Sequence, residues 1–194
     1  MNSAREQLIE TASSLFEAQG YHATGLSQIL AASGAPKGSL YHYFPGGKEE
    51  LGAAAIAHAG AMIAERLGHS LATVNNPAEA IARFVENVAH HVETSGFSAG
   101  GPLMMLALET VNSSERLNRA CRAAYGQIQD AFQAKLEGGG YGQPDARQLA
   151  AFVTCAIEGG IILSRTQHSG DPLRMVARAL EQHIRSVPPS AVAR

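Results

Sequence analysis

The stretch from Thr24 to Lys48, TGLSQILAASGAPKGSLYHYFPGGK, constrains this chain more than any other, because it reads as two short helices joined by a tight Ser33-Gly34 turn and followed by an aromatic and basic cluster. Upstream, Leu8, Ile9, Ala12, Leu15 and Phe16 recur at helical spacing and give a first helix one apolar stripe, which Gly20 ends. Thr24 is the expected N-cap of the second helix. There Leu26, Ile29 and Leu30 turn inward, while Ser27 and Gln28 stay polar in the first turn, where free backbone N–H groups can meet a phosphate. Gly34 supplies the left-handed residue that a sharp helix stop requires. Pro36 suits the first position of the third helix, where a missing N–H costs nothing. In that helix Leu40 and Phe44 lie four residues apart and face the core, which leaves Lys37, Gly38, Ser39, Tyr41, His42 and Tyr43 on the outer surface. Three short helices in this order make a helix-turn-helix, so Thr24, Ser27, Gln28 and the outer residues of the third helix form the candidate DNA-contacting set.

Phe16, Gly20-Tyr21, Thr24, Ile29, Ser33-Gly34, Lys37-Gly38-Ser39-Leu40-Tyr41, Phe44, Lys48 and Leu51 together resemble the N-terminal signature of the tetracycline-repressor (TetR) family of one-component bacterial regulators. The signature covers roughly the first quarter of the chain, and it is specific because glycines, aromatics and a lysine must coincide in register. Pro45-Gly46-Gly47 places one residue more than most members have between Phe44 and Lys48. That spacing, with Gly101-Pro102 opening a later helix, is similar to the LmrA-like branch, which includes repressors of drug-efflux and flavonoid-responsive genes. The resemblance implies an all-α fold, with a DNA-binding domain over 1–48, an effector-binding and dimerisation domain over 49–187 and a loose tail over 188–194. It also implies that Tyr41 and Lys48 are phosphate contacts.

Charge bears on how DNA would be held. The net charge is -2. Residues 1–48 carry Arg5, Lys37 and Lys48 against Glu6, Glu10 and Glu17, which cancel. Weak nonspecific affinity and modest salt dependence are therefore expected, with the contact carried by local donors: helix N-termini, tyrosine hydroxyls and two lysines per subunit. No leader or membrane-spanning run is read from the sequence, so no membrane partner is expected. Cys121 and Cys155 lack metal-type spacing and fit reduced thiols in a cytoplasmic protein.

Beyond Lys48, breakers at Asn75-Asn76-Pro77, 96–101, 138–144 and Ser169-Gly170-Asp171-Pro172 separate helical segments with no strand-like alternation. The segment from about Lys48 to Ser70 links the reader to the rest as a continuous helix, which can transmit a tilt. Towards the C-terminus, one broad apolar stripe runs through Leu149, Phe152, Val153, Ala156, Ile157, Gly160 and Ile161, and another through Leu173, Val176, Leu180 and Ile184. Gly159-Gly160 in mid-helix costs roughly 1 kcal/mol per glycine relative to alanine, which close helix approach would offset. This hairpin is either plain core or an interface between copies. The resemblance implies the interface, formed by Phe152, Ala156, Ile157, Gly160, Leu173, Val176, Leu180 and Ile184 as a four-helix seam. Two-fold symmetry would then set two reading helices about 34 to 36 Å apart.

Sequence motifs for catalysis are scarce: no GxxxxGK[ST], HExxH or GxGxxG occurs, and the one GxSxG match, Gly96-Phe97-Ser98-Ala99-Gly100, falls in a breaker between helical segments with no strand before it. His90-His91 is the best metal-like feature, but neighbours on a helix point about 100° apart. No enzymatic activity, cofactor or metal is expected. The resemblance implies an effector site in the C-terminal helices, with Phe84, Met104, Met105, Tyr125 and Phe132 as its lining. Glu158 fits a pocket acid, a paired core carboxylate or a solvent-facing group equally. The resulting expectation is a dimeric repressor of a palindromic operator, released by a flat hydrophobic effector. A ligand-binding helical bundle with a vestigial reader and an architectural DNA binder are the rival classes.

Overall fold

The computed structural model describes residues 3–36, 38–110 and 112–189. Among these residues the structure is helical throughout, without a strand: α1 (Ala4–Gln19), α2 (Leu26–Ser33), α3 (Ser39–Tyr43), α4 (Gly47–Ala72), α5 (Pro77–Thr94), α6 (Pro102–Thr110), α7 (Glu115–Gly138), α8 (Gln143–Gln167) and α9 (Asp171–Ser186). Helix starts follow from local chemistry. Ser3 and Glu6 form a reciprocal cap on α1: the Ser3 hydroxyl accepts the Glu6 N–H at 3.2 Å, and the Glu6 carboxylate accepts the Ser3 N–H at 2.8 Å. Asn76 Oδ1 accepts the Glu79 N–H at 3.1 Å and Pro77 sits at the first position of α5.

The chain packs as two compact units, Met1–Met62 with Gly101–Tyr125, and Ile63–Gly100 with Gly126–Arg194. This division differs from the sequence-based boundary after Lys48, because α6 and the start of α7 pack onto the reader. The Glu109 carboxylate accepts the His22 N–H at 3.0 Å, and the Glu109 carbonyl accepts from His22 Nε2 at 3.1 Å. Ser114 donates its hydroxyl hydrogen to the Glu49 carboxylate, and Leu117 and Tyr21 both lie against Gly52. Leu8, Ala12, Phe16, Ile29, Leu40 and Leu51 are wholly withdrawn from solvent and form the core of this first unit. Burying each large aliphatic or aromatic side chain contributes about 1.5–3 kcal/mol.

In the second unit α5 packs most extensively against α9, and α9 against α8. Here the structure corrects part of the sequence reading. Ile157, Gly160, Leu173, Leu180 and Ile184, expected at an interface between copies, are buried within the chain. The reason is that α9 packs on both α5 and α8, and crosses α8 closely. A Cβ at Gly160 would lie 2.8 Å from Leu173 Cδ2 and 3.3 Å from Val176 Cγ2, so glycine is what lets the helices approach. Polar ties close the ends of the unit. Glu93 on α5 accepts the Gly170 N–H at 3.1 Å and pairs with Arg174 at 2.5 Å. The buried Tyr141 hydroxyl donates to the Ile184 carbonyl at 2.8 Å. The Arg174 hydrogen bond holds the Glu93 carboxyl below the usual carboxylate value, against the opposing effect of burial. By length and composition alone α8 is long and apolar enough to cross a membrane, a property that the packed core helix of a soluble protein shares. In the structure one of its faces is packed on α9.

Candidate DNA interface, assembly surface and effector residues

The reader's geometry begins at the α1–α2 corner. Thr24, expected to cap α2 and touch DNA, does not cap it and presents no surface to a partner. It is fully buried, its hydroxyl donates to the Gly20 carbonyl at 2.7 Å and its N–H to the Tyr21 carbonyl at 3.2 Å. A side chain one residue before the cap points back into the corner, and the N-cap is Gly25, which offers no side-chain acceptor. Ser27 and Gln28 are exposed on the first turn of α2. Gly34 ends that helix at φ 65°, the left-handed conformation expected of it.

The third helix is shorter than the sequence suggests. It starts at Ser39 rather than at Pro36, whose carbonyl accepts both the Ser39 N–H at 2.9 Å and the Ser39 hydroxyl at 2.7 Å, so the proline sits in the entering turn. Lys37 lies outside the described residues. Leu40 and Phe44 are buried at 0% and 1%, and their inward pull sets what faces out. Tyr41 is 63% exposed, His42 and Tyr43 are exposed beside it with ring centroids 4.8 Å apart, and Gly38 is exposed at the start of the helix. Ser39 is half-buried.

Lys48, in the first turn of α4, lies with its ammonium 4.3 Å from the centre of the Tyr21 ring. Burial lowers its pKa and the Glu109 carboxylate opposes that shift. Tyr21 is itself buried against Phe16, with centroids 5.3 Å apart. The lysine is thus anchored by the core of the reader.

A second exposed surface lies on α8 and α9. Phe152 (48% exposed), Ile162 (45%), Leu163 and Met175 are large apolar side chains in solvent. Cys155 and Gly159 are exposed between Phe152 and Ile162. Phe152, Cys155, Gly159 and Ile162 are spaced three, four and three residues apart, the step of a helix-packing stripe. Of the residues expected at an interface, only Phe152, Ala156 and Val176 keep exposed or half-exposed surface. The spacing of Cys155, Gly159 and Ile162 was readable, but the broader stripe that includes Leu149, Val153 and Ile157 masked it.

The expected effector residues divide between the two units. Phe84 and Phe132 meet edge to face in the second, with centroids 5.8 Å apart, Phe132 fully buried and Phe84 half-buried. Glu158, half-buried, belongs to the same unit. Met104, buried, and Met105 and Tyr125, half-buried, belong to the first. A separate cleft of about 310 Å³ lies between α1 and α4, lined by Arg5, Glu6, Ile9, Glu10, Ala54, Ala57 and His58. Among the described residues no group of three or more potential ligands is placed to hold a metal ion.

Residues 8–55 match the family described as "Bacterial regulatory proteins, tetR family", and residues 77–179 match "Transcriptional regulator LmrA/YxaF-like, C-terminal domain". Among curated proteins, the chain is 40% identical over 182 residues to the uncharacterized HTH-type transcriptional regulator YxaF of Bacillus subtilis, covering 94% of this chain and 95% of the relative. It is 36% identical over 177 residues to the HTH-type transcriptional regulator LmrA of the same organism, covering 91% and 94%. Among solved structures, a TetR transcriptional regulator from Chloroflexus aurantiacus superimposes with a TM-score of 0.79 at 28% identity, covering 94% of each chain. The reduced form of Escherichia coli NemR shares the fold, with a TM-score of 0.81 at 24% identity, covering 97% of this chain and 100% of that one.

Proposed function

This chain belongs to the TetR family of transcriptional regulators, with an LmrA/YxaF-like C-terminal domain, and from that premise we propose that it is a cytoplasmic repressor that binds a palindromic operator as a homodimer and leaves it when a small hydrophobic effector binds. The observation that carries the DNA reading is the outward row Tyr41, His42 and Tyr43 on a helix whose inner residue, Leu40, is wholly buried. Aromatic side chains with polar tips, held on a rigid base, suit a surface that is hydrated and hydrogen-bonding, as DNA is. In this reading residues 1–48 carry DNA contact, with Tyr41 and Lys48 on phosphates and Lys37, Ser39 and His42 at bases, and 49–187 carry effector binding and assembly. The exposed stripe of Phe152, Cys155, Gly159, Ile162, Leu163 and Met175 pairs with its symmetry mate. Effector release is a linkage effect: a ligand that prefers the non-binding arrangement weakens DNA affinity by its preference between the two states. The relatives named above are transcriptional regulators, which supports a regulatory role for this chain.

The test is a footprint on the chain's own upstream region, followed by fluorescence anisotropy on the protected sequence with and without a panel of flat hydrophobic compounds. Protection of a palindrome, relieved by one of the compounds, is the expected result. Protection that no compound relieves, combined with a solidly packed C-terminal domain, would favour the architectural reading. Absence of any protected or selected DNA sequence would favour the vestigial reader.

A further inference from the structure

Gln28 is exposed on the first turn of α2, but its carboxamide is not free. Gln19 Nε2 donates to Gln28 Oε1 at 2.8 Å, and Gln28 Nε2 donates to Gln19 Oε1 at 3.1 Å, a cyclic amide pair between the end of α1 and the start of α2. The orientation of both amides follows from the neighbours. The Thr24 hydroxyl spends its proton on the Gly20 carbonyl at 2.7 Å, so towards Gln19 it can only accept. The Ala23 carbonyl is likewise an acceptor. Both lie within reach of Gln19 Nε2, at 3.1 and 3.3 Å. The nitrogen of Gln19 must therefore face this corner, which fixes its oxygen, and through it the nitrogen of Gln28. Buried Thr24, which presents no surface to a partner, is thus the anchor of a chain of bonds that ends on an exposed reader side chain.

The chemistry of a cyclic amide pair decides what Gln28 can still do. A glutamine reads adenine with its oxygen and the N–H on the same edge, accepting from N6 and donating to N7. That edge is the one Gln19 occupies. What remains is the second N–H and the second lone pair of the oxygen, which diverge and cannot grip one base together. The remaining N–H suits a single bond to a phosphate oxygen, which carries no sequence information. We propose that Gln19 is a positioning residue of the reader: by holding the adenine-reading edge of Gln28, it makes Gln28 a sequence-neutral phosphate contact and keeps base discrimination on α3. This rests on the DNA-binding reading above. Gln19 also fixes a side chain that would otherwise lose rotamer freedom on binding, so the contact is formed at lower entropic cost.

The test uses full-length protein and an operator obtained by selecting randomised duplexes with the wild type, followed by affinity measurements on every single-base variant of one half-site. Gln28→Ala should weaken binding by a similar factor on all variants, leaving the base profile parallel to wild type. Gln19→Leu frees the edge of Gln28 and should create a new preference for adenine at one position, roughly fivefold or more, which Gln28→Ala in the same chain abolishes. Gln28→Asn is too short for the pair, so it should release an adenine-reading edge as well and serves if Gln19→Leu fails to fold. Thermal midpoints separate a structural effect, which lowers affinity evenly, from a change of profile. An adenine preference already present in the wild type and lost in Gln28→Ala would overturn the proposal, as would parallel profiles for wild type, Gln19→Leu and Gln28→Asn. If the wild type selects no DNA sequence at all, the DNA reading itself fails.

Discussion

The reader and the α8–α9 pair both leave apolar or aromatic side chains in solvent, and for opposite reasons. In α3, only five residues long, Leu40 takes the inward place and Tyr41, His42 and Tyr43 have nowhere to go but out. In α8, 25 residues long, apolar side chains run around more of the helix than α9 covers. The first surface is aromatic but tipped with hydroxyl and imidazole groups, suited to a wet, charged partner. The second is Phe152, Ile162, Leu163 and Met175, which offer no hydrogen bond and suit another apolar stripe. Exposure alone does not identify a binding surface, and the polarity of the exposed atoms says which kind of partner it fits.

The contrast within the α8–α9 pair gives the largest effect. Leu180, buried on the inner seam, should cost about 2–5 kcal/mol when cut to alanine, lowering the thermal midpoint independently of protein concentration. Ile162→Glu, on the outer stripe of the same helix pair, should leave the fold of the chain intact and shift sedimentation towards monomer. Operator affinity should fall roughly 30-fold or more, since one half-site alone lacks the contacts of two. If Ile162→Glu lowers the thermal midpoint as much as Leu180→Ala, the outer stripe is part of the chain's own core and the distinction collapses.

Tyr41→Phe sharpens the other side of the comparison. It keeps the ring and removes one hydroxyl, so it should weaken operator binding by about 0.5–1.5 kcal/mol on every base variant alike, with no change in thermal stability. A changed base profile would move Tyr41 from phosphate to base contact. The smallest effect concerns the clasp of Glu93 on Arg174 and Gly170. Its folded pKa lies below the ordinary value, so its contribution is present above that value, near 4.5, and is lost as pH falls below it through the folded pKa. Glu93→Gln should flatten the pH dependence of stability in that range, and Asp171, which also pairs with Arg174 at 3.2 Å, should leave a remnant. Identical acid profiles for wild type and Glu93→Gln would remove the clasp from the account.

Much of this was legible because helix signals are local. Gly20 and Gly34 stop helices where their conformational freedom predicts, and Leu40 and Phe44 are buried as their four-residue spacing requires. What was illegible depended on the neighbour that each face meets. Thr24 reads as a cap, but the chain turns one residue later at Gly25, and its hydroxyl goes to Gly20. Ile157 and Ile162 sit on one apolar helix with nothing local to say that one is buried and the other faces solvent. The packing of α9 and α5 on α8 decides that. Gln19 carries no pattern at all, since its partner Gln28 is nine residues away across a corner.

The central claim is that the aromatic row on α3 and the apolar stripe on α8 work as one device, with two copies joined at the stripe placing two rows on one operator. Sedimentation equilibrium of a fluorescently labelled selected operator, titrated with wild type and with Ile162→Glu, tests it directly. The account predicts two wild-type chains, or a multiple of two, on each palindrome, and a single weakly held chain for Ile162→Glu. A wild-type chain bound singly at full affinity, or Ile162→Glu bound pairwise as tightly as wild type, would contradict it.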